Sequence, residues 1–119
     1  MKKINLKEKF DLFDEKWTPK IVGQLNGQAV KIAKVEGDFV WHNHEHEDEL
    51  FYVLKGQLIM HFEEGAEVIN AGEMIIVPKG VEHKPEAAEE TWIMLFEPMD
   101  ILHTGKVKSH LTKNEIDWI

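Results

Sequence analysis

The feature that most constrains this chain is the stretch from residue 37 to 56, in which His42, His44, His46 and Glu49 fall between two apolar runs. A solvated histidine tract needs no apolar flanks. Here Phe39, Val40 and Trp41 precede the cluster and Leu50 to Leu54 follow it. On an extended segment successive side chains alternate between faces, so His42, His44 and His46 would share one face. Neighbouring Cα atoms on that face lie roughly 7 Å apart. At that spacing two imidazoles can lean toward one ion, with metal–nitrogen bonds of about 2.0–2.1 Å. Leu50-Phe51-Tyr52-Val53-Leu54 is rich in aromatic and branched residues and reads as the next strand. Glu49 opens that strand and shares parity with Phe51 and Val53, so its carboxylate can face back toward the histidines. The pattern predicts a metal site built on two β-strands.

Downstream, Gly72 to His83 contains a turn, a short apolar strand, the turn Pro78-Lys79-Gly80 and then a histidine. Proline presets φ and glycine tolerates positive φ, so this turn carries His83 onto a new segment.

Both stretches resemble the two motifs of the cupin superfamily of small β-barrels. The first motif appears as Gly37, His42-Asn43-His44, Glu49 and Gly56, with four residues between His44 and Glu49 and six between Glu49 and Gly56. The second appears as Gly72, five residues, Pro78-x-Gly80, two residues and His83. The spacing from Gly37 to His42 is one residue shorter than the family's usual one, and Ala87 stands where the family often has asparagine. The match spans residues 37 to 98. The resemblance implies an all-β, antiparallel double-stranded β-barrel, a jelly roll, with short N- and C-terminal appendages. It further implies that His42, His44, Glu49 and His83 hold one divalent transition metal. His46 is extra: pairing it with His44 leaves only two residues before Glu49, so it is placed at the site mouth or on the surface.

At 119 residues the chain suits one domain, 1–119, with a sizeable core. No apolar run is long enough to span a bilayer and no signal peptide is visible, so the expectation is a cytoplasmic protein with no membrane partner. The absence of cysteine excludes disulfide and thiolate chemistry. A net charge of −8 argues against nucleic acid. All 14 basic residues are lysine, so there is no guanidinium fork for a phosphate. Small cupins of this type are often mannose-6-phosphate-isomerase-like; the missing arginine argues mildly against a phosphosugar.

Leu6, Phe10 and Phe13 fall on one side of a short helical turn, expected to dock over a barrel edge. Ile21 to Leu25 and Gln28 to Val35 read as a hairpin around Asn26-Gly27, and Glu36-Gly37-Asp38 as the turn into the metal-binding strand. Leu58 to Phe62, Ala66 to Ile69, Glu73 to Val77 and Trp92 to Glu97 read as further strands, with an acidic turn around Ala87 to Glu90. Ile116, Trp118 and Ile119 are expected to dock on the barrel. His61, His103 and His110 read as structural or surface histidines. Phe39 and Trp41 on one strand, and Leu50, Tyr52 and Leu54 on the next, make the outer face apolar. That face is expected to be covered by the N-terminal segment, another layer or a second subunit, hence a homodimer.

Three histidines and a glutamate suit Mn, Fe, Co, Ni, Cu or Zn. The interior, taken from Phe51, Val53, Leu58, Met60 and Phe62 with either Met74 and Ile76 or Ile75 and Val77, reads as apolar and short of acid–base groups. That leaves the metal, or Glu49, to carry the chemistry. The expectation is a metal-dependent enzyme on a small organic molecule, by dioxygenase-type oxidation or by isomerisation of a sugar-like compound. The alternative is a non-catalytic small-molecule-binding barrel with a structural metal.

Overall fold

The computed structural model describes residues 1–99 and 116–119. In the sequence Thr104-Gly105 reads as a turn and Asn114, with Glu115 after it, as a helix cap; these residues, with His103 and His110, lie outside the described residues. After a short helix, α1 (Leu6–Phe10), come β1 (Lys20–Leu25), β2 (Gln28–Asp38), β3 (Glu49–Lys55), β4 (Gln57–Phe62), β5 (Gly65–Asn70), β6 (Met74–Val77), β7 (Lys84–Pro98) and β8 (Asp117–Trp118). Asn26 and Gly27 both have positive φ, +50° and +74°, as the tight β1–β2 hairpin requires.

The long strand β7 organises the sheet. One edge pairs antiparallel with β2 from Gln28↔Pro98 to Asp38↔Glu86. The other edge changes partner: Lys84–Glu86 pairs with β4, and Trp92–Phe96 pairs with β3. The sheet therefore folds over on itself, with β5 and β4 on one side and β3 and β6 on the other. Among the described residues the ladder does not close, and the arrangement is an antiparallel jelly roll. Thr91 sits where the partner changes. Its hydroxyl accepts from Gln57 N–H at 3.2 Å, and it lies 3.1 Å from Gln57 O. Gly56 turns the chain here at φ +90°, and a Cβ on it would stand 2.5 Å from Thr91 Oγ1. Only glycine meets both conditions without strain.

The continuity of β7 corrects the expected acidic turn at Ala87 to Glu90. The strand runs on through an irregularity rather than a turn: Val35 pairs with Thr91 and Gly37 with Ala87, so positions 88 to 90 stand outside the ladder, with Ala87 fully buried, Glu89 exposed and Glu90 half-buried. Gly37 likewise does not end β2; it takes φ +83° while pairing with Ala87, and pairing runs on through Asp38.

The interior is built from Ala33, Val35, Phe51, Val53, Leu58, Met60, Ile69, Val77, Ile93 and Leu95. Met74 and Ile76 are exposed, which assigns Ile75 and Val77 to the inner face of β6. A second apolar cluster lies on the outer face of β2. Phe10 and Phe13 cover Val22 and Ile32 there, and Phe10 stacks on Trp92 at 4.5 Å. The N-terminal segment thus docks on a sheet face rather than a barrel edge. The C-terminal residues dock as expected: β8 pairs with β1 through Ile21↔Trp118 and Ile119 joins this cluster, while the Trp118 residue stays 54% exposed.

Candidate metal centre

Between Asp38 and Glu49 the backbone is irregular rather than a strand. Its ladder contact is an isolated bridge, in which His42 and His83 exchange N–H···O=C bonds of 3.0 and 2.9 Å. This corrects the expectation of a strand carrying the histidines. Phe39 keeps the parity of Ala33 and Val35, which face the core, and alternation breaks between Phe39 and His42, where regular pairing has ended. Phe39, expected on the outer face, instead turns inward and stands edge-on to His42 at 5.5 Å. Trp41 stays 45% exposed.

Irregular backbone still converges on one point. His42, His44, Glu49 and His83 are all buried, and each offers a ligand atom within 4.8 Å of the others. The local carbonyls orient two of the rings. Nδ1 of His42 donates to Val40 O at 2.9 Å, and Nδ1 of His83 donates to Val81 O at 2.8 Å. A carbonyl only accepts, so the proton sits on Nδ1 and the Nε2 lone pair faces the centre. His44 Nε2 lies 3.2 Å from Glu49 Oε1, and His83 Nε2 lies 3.6 Å from the same oxygen. Neither contact has hydrogen-bond geometry. His42 Nε2, His44 Nε2, His83 Nε2 and Glu49 Oε1 are all buried without a hydrogen-bond partner. Buried polar atoms are rarely left unpaired. Four orphaned atoms on one small volume, all of them donors a metal accepts, are what a metal-binding cluster requires, so this group could hold one ion.

Charge supports the same state. Burial, and then the neighbouring His83, pushes His42 down to about 4, so the ring is neutral near pH 7. Burial acts to raise Glu49, but its polar contacts with Glu97, His44 and His83 outweigh it and hold the carboxyl well below its usual range. Neutral imidazoles and an ionised carboxylate are the forms that bind metal.

His46 stands apart: its side chain is 79% exposed, with Nε2 3.6 Å from Glu45 Oε2. His61 is also outside, paired with Glu86 at 2.6 Å.

The interior is not short of titratable groups. Lys31 and Glu97 are buried there and pair at 3.0 Å. Glu97 is in side-chain contact with Glu49; burial, and then the Glu49 charge, pushes Glu97 well above the usual carboxylate range. The available signal was parity. Glu97 follows Ile93 and Leu95 by steps of two, and Lys31 lies between Ala29 and Ala33. The apolar run from Trp92 to Phe96 masks it.

Beside His42 and Glu49 lies a cavity of about 30 Å³, walled by Trp17, Phe39, Phe51, Ile93 and Leu95. It has room for about two waters. Trp17 closes one side with a left-handed backbone, φ +55°. It is held there by its backbone N–H to Lys34 O and its Nε1–H to Glu36 O, each 2.9 Å, and it stacks on Phe39 at 4.7 Å.

Comparison with known proteins places these features in a family. Residues 29–101 match the family model described as "Cupin domain". A cupin-2 domain containing protein from Shewanella frigidimarina has a crystal structure that superposes with a TM-score of 0.79 at 47% identity, covering 80% of this chain and 93% of that one. The crystal structure of protein NMB1881 from Neisseria meningitidis gives a TM-score of 0.75 at 32% identity, covering 82% of this chain and 99% of that one. The protein YdbB of Bacillus subtilis is 32% identical over 71 residues, 59% of this chain, and the match spans only 63% of YdbB.

Proposed function

The chain belongs to the cupin-domain family, and on that premise we propose that it is a metal-dependent enzyme acting on a small organic molecule, by oxidation ahead of isomerisation. His42, His44, Glu49 and His83 are the proposed ligands of one divalent transition metal. The observation that carries this reading is the set of four buried, unpartnered ligand atoms beside a cavity with room for about two waters. A metal that takes four protein ligands and keeps adjacent positions for small exchangeable ones is suited to catalysis. A tetrahedral structural site would need no such space. When bound, the ion supplies Lewis acidity or redox capacity according to its identity.

The chain's own residues do the rest. The Val40 and Val81 carbonyls hold two imidazoles in the tautomer that faces the centre. Phe39, Phe51, Ile93 and Leu95 exclude bulk water. Among the described residues, His42 and Glu49 are the titratable groups that line the cavity, so Glu49 is the proposed group to hold or move a proton at substrate. Water or dioxygen fits the space as it stands. A sugar-sized molecule needs Trp17 and Phe39 to part, and this is why oxidation is placed ahead of isomerisation.

The tightness of the cavity also favours a second reading, a non-catalytic barrel with a structural metal. Oxygen uptake by metal-free and reloaded protein, measured with a panel of small phenols, thiols and hydroxy-ketones, separates the two. Turnover that stops on chelation and returns on reloading supports the enzyme. A loaded protein that turns over nothing and loses only thermal stability on chelation supports the structural metal.

A homodimer belongs to the same proposal. Met74 and Ile76 are 58% and 53% exposed on the outer face of β6, beside half-buried Leu50 and Tyr52 of β3. An apolar strip of this kind suits a second copy. Sedimentation at micromolar concentration as a monomer of 13.8 kDa would contradict it.

A further inference from the structure

Glu49 is the one ligand of the proposed set that lies on a regular strand, and the sheet places two further charged groups behind it. Leu50 pairs with Phe96 across β3 and β7, which sets Glu49 beside Glu97. Ala29 pairs with Glu97 and Lys31 with Leu95 across β7 and β2, which sets Lys31 one diagonal step from Glu97. Three neighbouring strands thus present Lys31, Glu97 and Glu49 in a row on the inner face. Lys31 Nζ donates to Glu97 Oε1 at 3.0 Å, with both side chains at 1% exposure or less. Glu97 Oε2 is buried without a hydrogen-bond partner of good geometry, and the side chain on which it sits touches Glu49.

A buried pair of this kind is a poor device for stability alone. Replacing such a pair by apolar residues of similar size is often neutral or stabilising. Its position gives it another use. A ligating carboxylate has two oxygens and free rotation about its terminal bonds, and groups that hydrogen-bond it decide which oxygen faces the ion. No backbone carbonyl can do this for Glu49, because a carbonyl does not donate. We infer that Glu97 is a positioning residue that turns Glu49 Oε1 toward the metal, and that Lys31 anchors Glu97 for this task. The inference rests on the four-ligand reading of the site and not on any assignment of reaction.

The test is cobalt(II) binding by the full chain, read as affinity in competition with a chelator and as the visible absorption of the loaded protein. The Lys31→Met, Glu97→Leu double variant removes the row without leaving a lone buried charge. It is expected to melt, metal-free, at or above the wild-type temperature, to bind cobalt about 10–100-fold more weakly, and to show a shifted absorption band. Glu97→Gln keeps a carbonyl oxygen for Lys31 and an N–H for Glu49. It is expected to bind within a few-fold of wild type with an unshifted band. A folded double variant with wild-type affinity and spectrum overturns the inference, and so does a Glu97→Gln variant as weak as the double. If the wild type itself binds no cobalt, the four-ligand reading falls and takes this inference with it.

Discussion

The candidate centre has two halves held by different means. His42, His44 and His83 sit on irregular backbone, and two of them are oriented by carbonyls only two residues back. Glu49 sits on β3, and its support comes from residues far away in sequence, Glu97 on β7 and, through it, Lys31 on β2, 66 positions from Glu97. The loop half is local and the sheet half depends on register. Damage to the first should appear in metal binding, and damage to the second in folding as much as in binding.

The largest effect expected on the loop half is that of His83→Ala. It removes a proposed ligand and leaves the backbone bridge between residues 42 and 83 in place. Elemental analysis should find metal content falling from about one ion per chain to near zero. Retention of a full equivalent would remove His83 from the ligand set.

The sheet half is broken most severely by Lys31→Met, which leaves two buried carboxyl groups facing each other without a cation. Breaking one partner of a buried pair costs about 3–5 kcal/mol, and urea denaturation of the metal-free protein should register a loss of that order. A loss below about 1 kcal/mol would mean that the sheet half is not coupled through Lys31.

These two halves also differ in what the sequence discloses. The histidines and Glu49 lie within eight residues, so a candidate metal cluster is readable from spacing, whereas His83 joins it only through the resemblance to the two cupin motifs. Most of the strands were legible for the same reason: alternation and turn residues are short-range signals. Lys31 and Glu97 were missed because nothing near either in sequence marks them as partners. Only the pairing of β2, β7 and β3 brings them together. The irregular backbone of the histidine segment is not legible in the sequence, because alternation breaks between Phe39 and His42 with no glycine or proline to mark the place. The course of β7 is not legible because Glu89 and Glu90, where the ladder is interrupted, look like a turn.

The comparison is sharpened by pH. In the metal-free protein His42 stays neutral down to about 4, whereas in the unfolded chain it protonates near 6.5. Its contribution is therefore fully present above about 6.5 and is lost as pH falls toward 4, by roughly 3 kcal/mol across that window. Unfolding free energies measured across it should fall more steeply for wild type than for His42→Gln. Equal slopes would show that His42 is not held neutral by its surroundings.

The smallest effect belongs to His46. Its side chain is 79% exposed and outside both halves. His46→Ala should leave metal stoichiometry unchanged and stability within about 0.5 kcal/mol. A loss of metal in this variant would extend the loop half beyond the residues assigned to it.

The most direct test of the central claim is equilibrium dialysis of the tag-free protein against cobalt or zinc at neutral pH, followed by metal analysis. The account predicts about one ion per chain. No retained ion under loading conditions would contradict it.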